Sequence, residues 1–200
     1  MTALKHQRPV AVCVVGVPGV GKSTLLADHV SSHPGGARHV VGSSVVKAII
    51  APDSVRDMDG YPVAKQSAVR AEAVRRLRML RDEGDGPLLV DGHITLRNRV
   101  SGELELVFTP ADETFYDGLV LLTSDPASVS TQREGDVRVR ATERADVILA
   151  HLAAERAGAV EVARRSGIPL LVIEAQGLAE RRVALAEFLM TLCPRERSVM

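Results

Sequence analysis

The stretch GVPGVGKST at 16–24 constrains this chain more than any other. It follows an uninterrupted apolar, β-branched run, PVAVCVV at 9–15. Such a run suits a strand covered on both faces, as in a parallel sheet. It leads into KSTLLADHVSSH, which reads as a helix that Pro34, Gly35 and Gly36 end. A strand that turns through glycines into a helix collects inward-pointing N–H groups and a positive dipole end at one place. That is a seat for an anion.

The stretch fits G-x-x-x-x-G-K-[ST] through Gly16, Gly21, Lys22 and Ser23. Side chains would block a close approach of phosphate to backbone, so Gly16, Gly19 and Gly21 keep the wall thin. With Val17, Pro18 and Val20 between them, they form the candidate nucleotide cradle. Lys22 would reach the β- and γ-phosphates, Ser23 would hold Mg²⁺, and Thr24 would touch the α-phosphate. The expected cofactors are ATP and Mg²⁺. The competing reading is a glycine-rich turn with an exposed lysine.

A second apolar run, PLLVDGH at 87–93, ends in Asp91. Strand ends of a parallel sheet gather on the ligand side. An Asp there can hold Mg²⁺, usually through water. The alternative is a simple turn residue at a strand end.

Strands alternate with helices along the rest of the chain. RHVVG at 38–42 is a short strand, and SSVVKAII at 43–50 a short helix opened by Ser43 or Ser44. Val69, Ala73, Leu77 and Leu80 fall on one face of a helix from about Pro62 to Asp82. Arg70, Arg75, Arg78 and Arg81 fall mostly on the other face, which reads as solvated. The segment 94–116 is ambiguous, although ELELVF alternates like a hairpin arm or an edge strand. DGLVLLTS at 117–124 is a buried strand, and Asp125 then caps a helix that starts at Pro126. A long helix from about Thr142 carries the stripe Ala145, Ile148, Leu152, Ala159 and Ala163, and Gly167 stops it. IPLLVIEA at 168–175 is the last strand, and LAERRVALAEFLM at 178–190 a closing helix. This alternation predicts an α/β fold with a parallel sheet, in one domain spanning 1–200.

Composition removes several function classes. Lys+Arg and Asp+Glu both number 25, so no basic field argues for nucleic acid, and 2% aromatic residues leave few stacking platforms. Cys13 and Cys193 make no disulfide framework and no zinc spacing, which fits a reduced, cytoplasmic setting. The basic, then apolar N-terminus runs into the glycine loop where a cleavage site would fall, so it does not read as a signal peptide. No run approaches the ~18 apolar residues of a membrane span.

Arg133, Arg138, Arg140 and Arg144 crowd a polar segment after the fourth long strand. They are suited to clamp phosphates bidentately, or they form a solvated loop. A phosphoryl transition state carries spread negative charge, so positioning and cations are the catalytic needs. On that ground Lys22, Arg133, Arg138 and Arg140 are the candidate catalytic residues.

GVPGVGKST, VDGH on a buried strand, and RVR before a long helix together resemble the archaeal-type adenylate kinases, in the nucleoside monophosphate kinase group. The resemblance covers about 9–190 and is weak in the middle. It implies a P-loop kinase fold: a five-stranded parallel sheet of order 2-3-1-4-5 flanked by helices. It implies an acceptor-binding subdomain at 43–82 and a short lid at 133–141 that closes over ATP. Asp91 then matches the family's strand-end Asp, His93 its His, and Arg138 and Arg140 its lid arginines. His151 and Arg156 have counterparts too, although His151 also reads as a packed helix residue. His93 either orients the acceptor or is a hydrogen-bonded strand-end residue.

The chain departs from the wider adenylate kinases at DGHITLRNR, where an early Arg is absent. Acceptor binding therefore falls to Lys47 or Arg56, with Arg97 or Arg99. The expected reaction is ATP- and Mg²⁺-dependent phosphoryl transfer to a nucleoside monophosphate, AMP by default. A kinase of a non-nucleotide metabolite and an ATP-binding switch with slow hydrolysis are the alternatives. The expected partner is a small-molecule acceptor, with no nucleic acid and no membrane. Archaeal adenylate kinases form trimers, so the resemblance leaves a homo-oligomer open.

Overall fold

The computed structural model describes residues 8–33, 36–134, 144–174 and 177–193. The apolar run predicted as the first strand is β1, Ala11–Val15, and every residue in it is buried. It leads through the glycine loop into α1, Lys22–Ser32. Then follow β2, Arg38–Val41, and α2, Gly42–Ile50. A 3-10 turn at Asp57–Gly60 precedes α3, Val63–Asp82, and β3, Leu88–Asp91. A hairpin, β4 Thr95–Arg97 and β5 Leu104–Leu106, and a short helix α4, Pro110–Phe115, come next. The chain continues with β6, Gly118–Leu122, α5, Pro126–Glu134, and α6, Ala145–Ser166. It finishes with β7, Leu170–Ile173, and α7, Leu178–Leu192.

The main sheet is five-stranded, in the order β2-β3-β1-β6-β7, with every pair parallel. With the hairpin set aside, this is the expected order 2-3-1-4-5. ELELVF supplies one arm of a separate antiparallel two-stranded sheet. The alternation of strand side chains divides the core. Ala11, Cys13 and Val15 face one apolar cluster with Val74, Leu77, Phe115 and Val162. Val12 and Val14 face the other, with Leu25, Leu26, Ile148 and Leu185. Burying side chains of this size contributes about 1.5–3 kcal/mol each. A small third cluster of Ile50, Met58 and Val69 ties α2, the 3-10 turn and α3 together.

Three local expectations change. No side chain caps α2, whose N-cap is Val41, so neither Ser43 nor Ser44 opens it. The helix α4 was hidden in the ambiguous segment, although Thr109 and Asp112 form a reciprocal capping box there. The α3 arginines are not one solvated face. Arg81 is buried, with its guanidinium 5.3 Å over the Phe115 ring, and Arg70 is half-buried. Among the described residues, no helix is long and apolar enough to cross a membrane.

Candidate active site

The parallel pairing brings the C-terminal ends of β1 and β3 side by side, with Val14 opposite Asp91. The glycine loop and the strand-end acid therefore meet. Ser23 Oγ donates to Asp91 Oδ2 at 2.5 Å, and Lys22 Nζ lies 3.7 Å from Asp91 Oδ1. Lys22 is 5% exposed and donates to the carbonyls of Gly16 at 2.7 Å and Val17 at 3.3 Å. The lysine of the motif is thus held inside the loop, which removes the reading of an exposed lysine on a turn.

The loop is pinned from both sides. Val17 and Val20 are fully buried in the core and act as its apolar feet. Gly19 has φ +88°, and a Cβ there would meet Arg133 Cγ at 2.6 Å. Only glycine satisfies that conformation and that approach together. Arg133, from α5, donates through Nε to the Pro18 carbonyl at 2.8 Å. Arg181, from the first turn of α7, donates through Nη1 to the Val20 carbonyl at 3.1 Å. Burial lowers the Arg181 pKa. The Ser23 and Thr24 hydroxyl residues are exposed and line the cleft above the loop.

Hydroxyl and carboxylate oxygens are hard donors that suit Mg²⁺. Among the described residues no group of three or more His, Cys, Asp or Glu gathers as a metal site. One hydroxyl and one carboxylate is the protein share Mg²⁺ takes when substrate phosphates supply other ligands. Ser23 and Asp91 fit that part, and Lys22 fits an anion beside it.

The cleft has a volume of 1340 Å³ and runs from this loop to α2, α3 and the hairpin. Of the residues expected on the acceptor side, Arg56, His93, Arg97 and Arg99 line it. Lys47 is exposed on α2 and does not line the cleft. Arg99 pairs with Asp59 at 3.1 Å, which joins the hairpin to the 3-10 turn. Arg97 donates to the Gly102 carbonyl, and its buried Nε has no hydrogen-bond partner among the described residues. His151 is buried, with Nε2 3.2 Å from the Thr95 carbonyl, and it also reaches the cleft.

The arginine group expected as a lid divides. Arg133 sits on the glycine loop. Arg144 is exposed and pairs with Asp146 at 3.0 Å. Arg138 and Arg140, with most of the segment 133–141, lie outside the described residues.

Sequence reasoning missed three contributors. Arg70 of α3 and Arg181 of α7 line the cleft. Glu155 of α6 is 1% exposed and accepts the Gly16 N–H at 2.9 Å. A signal for Glu155 existed: it falls within the stripe Ile148, Leu152, Ala159, where a charge needs a reason.

Residues 15–152 match a family described as AAA domain, which covers more than half of the chain. An adenylate kinase homolog of Methanothermobacter thermautotrophicus is 28% identical over 150 residues, 72% of this chain and 73% of that protein. An adenylate kinase of Pyrococcus furiosus is 25% identical over 171 residues, 83% of this chain and 86% of that protein. Among solved structures, a gluconokinase from Sinorhizobium meliloti superposes with a TM-score of 0.53 at 16% identity, covering 94% of this chain and 97% of that one. The last likeness concerns the fold alone. With its loop, its sheet order and these relatives, the chain belongs to the AAA-domain family, as one of its P-loop kinases.

Proposed function

We propose that this protein transfers the γ-phosphoryl group of ATP to a nucleoside monophosphate, with AMP as the default acceptor. One observation carries the reading. Lys22, Ser23 and Asp91 converge at one end of a single cleft, and Arg56, Arg70 and Arg97 line it further on. A donor seat and an anion-binding acceptor wall then share one cleft, which is what direct transfer needs. The names of the two archaeal relatives support an adenylate acceptor.

In this reading the loop N–H groups and Lys22 cradle the ATP phosphates. Ser23 and Asp91 hold Mg²⁺, which neutralises charge on the phosphate oxygens. Arg133 and Arg181 fix the loop from above. His93 and the acceptor-side arginines orient the accepting group.

A second reading, transfer to a non-nucleotide metabolite, draws on one feature of the cleft. Its phenyl-type aromatics are Phe108 and Tyr116, and both are buried against each other at 5.7 Å. Neither offers an open face for a base.

The test is ADP production from ATP and Mg²⁺ with AMP, GMP, CMP, UMP and sugar acids, each against a blank without acceptor. Stimulation by AMP is expected. Stimulation by sugar acids alone would select the second reading. Slow hydrolysis indifferent to every acceptor would overturn both in favour of an ATP-binding switch.

A further inference from the structure

Past Asp91 the cleft continues along the sheet face between α3 and α4. Its walls there are Val74, Leu77, Val90 and Phe108. Gly92 packs closely on Cys13, whose Sγ a Cβ there would meet at 2.7 Å. Cys13 and Tyr116 hydrogen-bond to each other, and burial lifts the pKa of both, so neither offers a charge to a ligand.

Three acids other than Asp91 line the cleft: Asp59, Glu105 and Asp112. Asp59 is paired with Arg99, and Glu105 accepts from Asn98 Nδ2 at 2.7 Å. Asp112 is arranged differently. Its Oδ2 accepts both the Thr109 N–H at 2.8 Å and the Thr109 hydroxyl at 2.6 Å. Neither Thr109 hydrogen bond uses its Oδ1. Burial holds the carboxyl above the usual range, although the Thr109 hydrogen bonds and the Arg70 charge pull it down. The cap of α4 needs only one of the two oxygens. The second is a charged acceptor kept in an apolar wall, within the field of Arg70 on the neighbouring helix.

We infer that Asp112 and Arg70 read the far end of the phosphate acceptor, and that this end presents a hydrogen-bond donor beside an acceptor atom. The inference rests on the kinase reading of the cleft. A carboxylate only accepts and a guanidinium only donates, so the complementary group must carry an N–H or O–H next to a carbonyl, ring nitrogen or carboxylate oxygen. A nucleobase edge has that pattern, and so does the hydroxy-acid end of a sugar acid. A second phosphate does not, because Asp112 would repel it. A site built to pair such groups discriminates strongly against acceptors that lack them.

Asp112→Asn tests this cleanly. The Asn carbonyl can keep both Thr109 hydrogen bonds, and Nδ2 then replaces the open oxygen. The cap is retained while the atom facing the ligand changes from acceptor to donor. The experiment is initial-rate kinetics of the full chain with nucleoside monophosphates and sugar acids as acceptors, alongside thermal unfolding. For the acceptor that wild type uses, KM is expected to rise about 10- to 100-fold, the effect of losing a hydrogen bond to a charged group. KM for ATP is expected to hold. The unfolding midpoint is expected to stand at or above wild type, since a neutral amide removes a desolvated charge. Arg70→Gln carries the same test from the opposite wall, away from the cap, with acceptor KM rising about 10-fold. A nucleotide as the affected acceptor assigns the base edge, and a sugar acid assigns the hydroxy-acid end. Unchanged acceptor KM in both folded variants would overturn the inference and leave the kinase reading standing. No stimulation of wild type by any acceptor would overturn the kinase reading and this inference with it.

Discussion

Glu155 accepts the Gly16 N–H at 2.9 Å, so the first residue of the phosphate loop is held by a helix 139 positions further along the chain. The same oxygen accepts the Ile94 N–H at 2.9 Å, and the other accepts the Thr95 N–H at 2.7 Å and its hydroxyl at 2.6 Å. A carboxylate buried this deeply is tolerable only when its lone pairs are filled. Here they are filled by the loop and by the segment that follows Asp91. The Glu155 side chain thus sets the distance between the glycine loop and the segment between β3 and β4 that carries His93.

Replacing Glu155 should therefore damage geometry as well as stability. Glu155→Ala leaves buried N–H groups of Gly16, Ile94 and Thr95 without their acceptor, each costing about 1–3 kcal/mol. The expected outcome in urea unfolding is loss of most of the fold's stability. Glu155→Gln keeps one accepting oxygen and turns an amide N–H₂ toward the rest. It should fold, lose roughly 1–2 kcal/mol, and raise KM for ATP more than it lowers kcat. A wild-type urea midpoint in Glu155→Gln would show that the carboxylate is not the joint described.

The legible part of this site was the part written locally. The run 9–15, the loop 16–24 and Asp91 are each a continuous string, and a parallel sheet forces their ends together. Asp112 was half legible, since the Thr109 to Asp112 capping box is a local signal although its cleft-facing oxygen is not. Arg70 and Arg181 were illegible for a different reason. Each is one arginine among several on an amphipathic helix, and only the packing of α3 and α7 against the loop region selects which one faces the cleft. Lys47, the alternative to Arg56, shows the converse: a cation at a suitable place in the sequence, exposed on the helix it occupies and outside the cleft lining.

Lys22→Ala should cost phosphoryl transfer by about 10³-fold or more, because the transition state loses its nearest fixed cation. The hydrogen bonds it breaks include those to the Gly16 and Val17 carbonyls, and Val17 and Val20 still anchor the loop in the core. Circular dichroism should therefore keep its wild-type form, with an unfolding midpoint lowered by the loss of the buried Lys22–Asp91 pair. Turnover at the wild-type rate would sink the donor-site assignment.

Arg181 separates a binding role from a structural one. Its guanidinium is buried against the Val20 carbonyl, and burial lowers its pKa, which marks a charge kept at a desolvation cost. Arg181→Met preserves the stem and removes the charge. Stability should fall only modestly, by about 1–2 kcal/mol, since the Val20 carbonyl loses its donor while a desolvated charge is removed. KM for ATP should nevertheless rise about 10-fold, since a planar donor group over the loop is gone. Arg181→Lys should restore little of that affinity. If KM for ATP stays at its wild-type value in Arg181→Met, the residue packs the loop and does nothing for the nucleotide.

Acid sensitivity should originate partly in α1. His29 is 4% exposed, and its ring stacks on His33 at 4.6 Å. Burial, and then the neighbouring His33, lower its pKa below 6.5, and burial does the same to His39. A histidine with a depressed native pKa binds its proton more readily in the unfolded chain. The unfolded state then takes up protons first as the solution is acidified, so stability is full above 6.5 and falls as pH drops through and below that value. Urea unfolding at about pH 7.5 and about pH 5.5 should show the wild type weaker at the lower pH. His29→Gln, which keeps helix propensity and cannot titrate, should lose less stability between the two conditions. An equal loss in variant and wild type would move the titration off α1, with His39 on β2 as the next group to substitute.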